Sequence, residues 1–373
     1  MNRPTLHRRG FLRRSAGIAA AAAAAPYVMT SRGLGAENDR LNIGAIGVGG
    51  RGTAIGHQAG RLGNMVACAD VHRKNAENFA AEYDGRCEVY EDYRKIIDRD
   101  DIDAITCGTP DHWHTKIAID ALEAGKHVYC EKPLTLTIHE SRQIIEAVER
   151  TGRVFQVGTQ QRSEFDQMFL RAIAIARSGV LGDSLHALSS VGKATAGGPF
   201  DPAPVPPELN FDFWLGQAPK VDFCPRRIGW DFRWWLEYSG GQVTDWGVHH
   251  TDIAIWALGG EEQGVVEAEG KGVFPGIPEG TDLVGFLNGR VKLPQQFNVA
   301  HEFDCNLSLA NGNTINLTSG NNELIIQGDK GRIRVNRGSL TGQPVEEINA
   351  DPQRREWLDE EVRKLYRNMP LKG

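Results

Sequence analysis

Between positions 41 and 157, short apolar runs alternate with stretches whose apolar residues recur at helical spacing. Residues 41–46, 65–69, 102–107, 127–130 and 154–157 read as buried strands, each too short for a helix. Residues 76–83, 93–97, 117–124 and 141–150 read as helices, with Gly125 and Gly152 as stop signals after the last two. Strand and helix alternating at this interval predict βαβ units and a Rossmann-type, doubly wound parallel sheet. After Gly158 the texture changes. Residues 165–177 read as a helix, 184–191 as a strand and 243–258 as a helix. Residues 197–230 are rich in Pro, Gly and aromatics and read as a long irregular excursion. From 265 to 335, strand-like runs separated by Asn-Gly, Gly-Asp and Asp-Lys-Gly turns predict an open, mostly antiparallel sheet. The expectation is an α/β chain with a leader at 1–36, a Rossmann-type domain at 37–157 and a second α/β domain at 158–373.

Charge separates the leader from the rest. The 373 residues carry a formal net charge of −6, which excludes a generally basic nucleic-acid binder. Residues 1–36 hold six Arg and no Lys or acid, so the remaining chain has 36 basic against 48 acidic residues. The leader reads His7-Arg8-Arg9-Gly10-Phe11-Leu12-Arg13, then an Ala-dominated run to Met29, too short to span a membrane. Leu34-Gly35-Ala36 supplies small residues for cleavage. The paired arginines followed by Phe-Leu resemble a twin-arginine signal, which predicts the twin-arginine export machinery as a partner and a periplasmic location. The plainer alternatives are an uncleaved anchor or a tail. Six Cys occur without a C-x-x-C pair, and Cys68, Cys107 and Cys130 sit in apolar runs. Folding before export removes the need for bridges, so buried free thiols are expected.

Gly47-Val48-Gly49-Gly50-Arg51-Gly52 is a G-x-G-x-x-G run between a strand and a helix. Its first glycine makes the tight turn, the second lets a pyrophosphate approach, and the third lets helix and strand pack. Free N–H groups at the helix start then meet the phosphate charge. Asp70 ends the next strand, 18 residues past Gly52, where an acid binds the adenosine ribose and repels a 2′-phosphate. NAD is therefore expected ahead of NADP, with His72 and Arg73 softening the preference. Three polar motifs fall at later strand ends, the ligand side of such a sheet: Thr109-Pro110-Asp111-His112-Trp113-His114, Glu131-Lys132-Pro133, and Gly158-Thr159-Gln160-Gln161-Arg162.

With Asp245-Trp246-Gly247-Val248-His249, these residues resemble the Gfo/Idh/MocA superfamily, that of glucose–fructose oxidoreductase and inositol dehydrogenase, and within it an exported twin-arginine subgroup. The likeness runs from about residue 40 to 340. It implies an NAD(P)-dependent oxidoreductase exchanging a hydride with a secondary alcohol of a sugar, polyol or sugar derivative. It also implies homo-oligomer contacts through the sheet of the second domain. Subgroup members continue well past the point matching Arg367, whereas this sequence stops at Gly373, so a C-terminally shortened second domain is expected. On this resemblance Lys132, Asp245 and His249 are the catalytic candidates: His249 the base, Lys132 the donor to the reacting oxygen, Asp245 orienting the imidazole or a substrate hydroxyl. Spacing of i and i+4 places Asp245 and His249 on one helix face if the helix spans both. The cofactor candidates are Gly47, Gly49, Gly50, Arg51, Gly52, Asp70, Thr109, Pro110, His114 and Glu131.

Six of the eight Trp fall between positions 214 and 256. Trp230, Trp234 and Trp235 are the candidates for stacking on a sugar, with Arg162 for its hydroxyls, while Trp246 and Trp256 read as core. Asp111, His112, His114, His249, His250 and Asp252 offer metal-ligand types, but no spacing demands a metal and none is assigned. An exported dehydrogenase cannot replace a lost cofactor from its surroundings, so a nicotinamide retained through turnover is expected. Two further readings stay open. One is a redox-neutral glycoside hydrolase or lyase that oxidises, eliminates and reduces back. The other is a sugar binder without catalysis.

Overall fold

The computed structural model describes residues 40–262 and 264–367. The Arg-rich leader therefore lies outside the described residues. The chain order is β1 (Asn42–Ile46), α1 (Gly50–Leu62), β2 (Asn64–Ala69), α2 (Arg73–Ala81), β3 (Glu88–Tyr90), α3 (Arg94–Ile97), β4 (Ala104–Cys107), α4 (Asp111–Glu123), β5 (His127–Glu131), α5 (Ile138–Thr151) and β6 (Phe155–Gly158). There follow α6 (Met168–Arg177), β7 (His186–Val191), α7 (Phe211–Leu215), α8 (Gly247–Ala257), β8 (Val265–Val273), α9 (Leu283–Leu287), β9 (Glu302–Leu309), β10 (Thr314–Ser319), β11 (Glu323–Gln327), β12 (Arg332–Val335), β13 (Leu340–Thr341), α10 (Gln343–Ala350) and α11 (Pro352–Arg367).

The first six strands form one parallel sheet in the order β3-β2-β1-β4-β5-β6. Strand order reverses between β1 and β4, so a crevice opens beyond their carboxyl ends, where an open sheet takes its ligand. Apolar strand residues such as Ile46, Ile105, Cys107, Val128 and Cys130 are buried beneath the helices. β3 escapes a periodicity reading because it is three residues long and largely exposed.

The second sheet runs β13-β12-β11-β7-β10-β9-β8, antiparallel except where β7 pairs with β10. One face packs on α6, α8 and α11 through Phe169, Ile173, Trp256, Ile315, Leu324, Ile326 and Leu358. All nine residues of the edge strand β8 are exposed.

Two helices begin later than their sequence pattern suggests. Phe165, Asp166 and Gln167 take positive φ angles, so α6 starts only at Met168. Residues 244–246 form a turn ahead of α8, which starts at Gly247. Asp245 is thus not on the helix that carries His249, and the shared-face argument fails. The excursion after β7 packs a third, aromatic cluster around Trp214, Phe223, Trp234, Trp235 and Tyr238. It also reaches back to the first sheet: Arg73 donates its backbone N–H to Glu208 O, and Asn210 donates to Val71 O at 2.9 Å. All six Cys are free thiols, and only Cys305 is not fully buried.

Candidate active site

Gly47, at φ +72°, ends β1 in a conformation that side chains disfavour, and a Cβ there would meet the Thr109 backbone. Gly52 packs so closely on the same turn that a Cβ would lie 1.7 Å from Gly47 O. At Gly50, by contrast, a Cβ would meet nothing within 4 Å. The start of α1 therefore opens onto free space, with N–H groups available to an anion.

That space is a cleft of about 880 Å³ at the carboxyl ends of β1, β2, β4 and β5, closed on its far side by residues of the second domain. Gly47, Gly49, Gly50, Arg51, Asp70, Thr109, Pro110 and Glu131 all line it. Asp70 accepts from the Val48 N–H at 3.0 Å, the His72 N–H at 2.8 Å and Asn75 Nδ2 at 3.4 Å. Its carboxylate thus ties the glycine turn to the end of β2, and burial pushes its pKa up against these bonds. Glu131 accepts from Arg51 Nε at 2.8 Å and from Gln160 Nε2 at 3.0 Å. Arg51 keeps one buried nitrogen with no partner. Tyr93, Trp113, Phe213 and Trp214 make an aromatic wall beyond Asp70. Helix α7 seats that wall: Trp113 Nε1 donates to Trp214 O at 2.9 Å.

Lys132, one residue past β5, crosses to the turn before α8. Its Nζ donates to Asp245 Oδ1 at 2.5 Å and to Asp245 O at 3.1 Å. An ammonium has three N–H donors, so one remains for a ligand oxygen. Asp245 Oδ2 accepts from Arg233 Nε at 3.1 Å. Both carboxylate oxygens are therefore engaged by cations. Asp245 caps no helix and bonds to no imidazole; its carboxylate is taken up by Lys132 and Arg233.

His249 lines the same cleft from the first turn of α8, with a buried Nδ1 that has no partner. Burial, then the charges of Lys132 and Arg337, push its pKa down to about 2. In the open cleft the ring is therefore held neutral, able to accept a hydrogen bond but a weak proton acceptor. Asp111, buried and bonded by the Ser239 hydroxyl, moves the other way: burial raises its pKa to about 6.

Five expected site residues do not line the cleft, and the first of them, Gly52, packs against the Gly47 turn instead. His114 is 1% exposed and does not line the cleft; its nitrogens sit 2.7 Å from Pro133 O and 2.9 Å from Thr109 O. It pins the two strand-end loops instead. One of its ring nitrogens also lies within 4.8 Å of the thiol sulfurs of Cys107 and Cys130. Arg162 makes a bidentate pair with Asp252, 2.7 Å at each contact, and lies over Trp256, away from the cleft. Trp234 and Trp235 are 3% and 0% exposed within the aromatic cluster, Trp235 bonded to Arg226 O. Adjacent aromatic residues announce burial or stacking alike, and here burial takes both. Trp230 is 64% exposed and lines the cleft mouth beside Arg233, whose guanidinium lies 4.2 Å from the ring centroid. Trp246, read as core, forms a cleft wall. Asn75, Glu164, Phe165 and Arg337 also line it without any motif to announce them.

Comparison with known proteins agrees with this fold. Residues 41–159 match the model of an oxidoreductase family with an NAD-binding Rossmann fold, and residues 189–272 match that family's C-terminal alpha/beta domain. An alpha-N-acetylgalactosaminidase of Shewanella oneidensis is 29% identical over 207 residues, covering 48% of this chain and 45% of the relative. A glycosyl hydrolase family 109 protein of Shewanella putrefaciens is 32% identical over 158 residues, 40% of this chain and 34% of the relative. The chain thus aligns with under half the length of these curated relatives. Among solved structures, an NAD-binding protein from Listeria innocua is similar with a TM-score of 0.57 and 23% identity, over 81% of this chain and 73% of the other. A levoglucosan dehydrogenase in complex with NADH and levoglucosan gives the same TM-score and identity, over 81% and 75%. The chain belongs to the Gfo/Idh/MocA oxidoreductase family.

Proposed function

We propose that the protein is an NAD(P)-dependent oxidoreductase acting on a secondary alcohol of a sugar, polyol or sugar derivative. The observation that carries this reading is the placement of Lys132, Asp245 and His249 on one cleft with the glycine turn and Asp70. The residues fit a dinucleotide: open space at Gly50, an orphaned nitrogen on Arg51, and an acid where an adenosine ribose would sit. Asp70 favours NAD over NADP. When bound, nicotinamide supplies the hydride acceptor. The spare N–H of Lys132 donates to the reacting oxygen and stabilises negative charge there. Asp245, itself gripped by Arg233, fixes that ammonium in place. His249 is the acceptor proposed for the hydroxyl proton, a role that requires the bound substrate to raise its depressed basicity. Trp230 offers an aromatic face at the mouth.

The same proposal includes a periplasmic location, export through the twin-arginine machinery, and a cofactor retained through turnover. Residues 208–214 support retention, because they cross over α2 and the end of β2 and line the cleft beside Asp70. Homo-oligomer contacts through the second sheet belong here too, with its edge strand β8 exposed along its length. The curated relatives' names favour a second reading: a redox-neutral glycosidase in which the same residues serve oxidation, elimination and return.

Protein purified from its native compartment, with no added cofactor, should show a nicotinamide absorbance that changes stoichiometrically with the right saccharide. Release of sugar from a glycoside without net change in the band would select the redox-neutral reading. Protein that neither carries nor binds nicotinamide would end both.

A further inference from the structure

Arg337 sits in the turn between β12 and β13, on the far side of the second domain in sequence from every motif above. Its guanidinium reaches the cleft and lies 4.2 Å from the Trp246 ring centroid and 4.7 Å from that of Phe165. Its Nε is buried and has no hydrogen-bond partner. The other cations of this cleft each hold a carboxylate: Arg51 has Glu131, while Lys132 and Arg233 share Asp245. Arg337 makes no ion pair among the described residues. Glu164 lines the cleft close enough to act on its charge, yet does not reach ion-pair distance.

We propose that Arg337 is the anion-recognition residue of the cleft and that the substrate carries a carboxylate, as a uronic acid or its glycoside does. This rests on the reading of the cleft as a carbohydrate oxidoreductase site and narrows its substrate class. A cation held between aromatic rings and partly stripped of water is costly until an anion meets it. The planar fork of a guanidinium matches a carboxylate with two parallel bonds. In a pyranuronic acid the carboxylate on C5 lies across the ring from the hydroxyls on C2 and C3. The anchor at Arg337 and the reacting hydroxyl at Lys132 then engage different walls of the cleft.

A second consequence follows from charge. The field of Arg337 is among the causes that hold His249 neutral, after burial and Lys132. A carboxylate on Arg337 cancels part of that field and makes the imidazole a better proton acceptor. The ligand that fits the anchor therefore also strengthens the base.

The test is equilibrium binding by tryptophan fluorescence, on full-length protein saturated with NAD. The probes are D-glucuronate and D-galacturonate against their neutral matches, D-glucose and D-galactose, with inorganic phosphate as an anion lacking a sugar. At least one uronate should bind roughly tenfold or more tighter than its neutral match. Arg337→Gln should abolish that preference and Arg337→Lys should restore part of it; NAD affinity is titrated in parallel, and its loss together with the preference would assign Arg337 to the dinucleotide and overturn the proposal. Equal binding of acid and neutral sugars, no binding of either uronate, or a preference that survives Arg337→Gln would overturn the proposal. Because the readout is binding, a protein that prefers uronates but never changes its nicotinamide band would refute the oxidoreductase reading and leave the anion site standing.

Discussion

Lys132 Nζ lies 2.5 Å from Asp245 Oδ1, joining two residues 113 positions apart, one at the end of β5 and one before α8. Both side chains are nearly inaccessible, at 12% and 6% exposure. The pair fastens the nucleotide-binding sheet to the second domain at the point where the chemistry is proposed to occur.

The two halves of this pair differ in what their loss leaves behind. Asp245→Ala strands both Lys132 and Arg233 as uncompensated buried charges and should cost about 3–5 kcal/mol. Lys132→Ala leaves Asp245 still held by Arg233 and should cost clearly less in denaturant unfolding. Turnover should fall by roughly 10²–10⁴ in Lys132→Ala, since its donor to the reacting oxygen is gone.

The glycines separate folding from binding. Gly52→Ala drives a methyl into Gly47 O and should destabilise the first domain by more than ~2 kcal/mol. Gly49→Ala meets only Asn75 Nδ2, at an ordinary 3.5 Å, so its unfolding midpoint should fall little. Its NAD affinity should nevertheless drop about tenfold or more, because the methyl occupies the path of the phosphates. Calorimetric titration alongside urea unfolding checks both.

Acid should unfold this protein from below neutrality. His249, His112 and His250 are buried with pKa values pushed down to about 2, 4 and 4, chiefly by burial. Each binds a proton more readily when unfolded, near pH 6.5. The unfolded chain thus takes up protons as pH falls from about 6.5, and stability drops with it. Asp111, raised to about 6, and Asp70, also raised, work in the opposite direction above the usual carboxylate range. The three histidines outnumber them, so a net loss toward pH 5 is expected. His249→Gln should reduce the slope between pH 6 and 4 by about 1.4 kcal/mol per pH unit.

Trp230 and Trp235 should respond oppositely. Trp235→Ala empties a fully buried site and should cost about 3–5 kcal/mol. Trp230→Ala at the cleft mouth should change stability by less than ~1 kcal/mol and raise the saccharide KM severalfold.

What the sequence made legible follows from which constraints residue type records. Gly47 and Gly52 declare themselves because no other residue fits their turn and close approach. Lys132 and Glu131 stand at a strand end, and a parallel sheet sends strand ends to its ligand. Arg162, Trp234 and Trp235 were misplaced because sequence position does not say on which side of an irregular backbone a side chain falls. Asp245 and His249 do reach one cleft, but through a turn and a helix rather than along one helix face. Arg337 carried no signal at all. It comes from a turn that only the topology of β12 and β13 brings against Trp246.

The central claim is geometric: one cleft holds a dinucleotide at the glycine turn with its reactive ring presented to Lys132 and His249. A crystal structure of the protein with NAD bound tests it directly. The account predicts the pyrophosphate at the N-terminus of α1, the ribose at Asp70, and the nicotinamide between the Lys132 ammonium and the His249 ring. A nicotinamide directed out of the cleft, or a dinucleotide bound elsewhere on the chain, would contradict it.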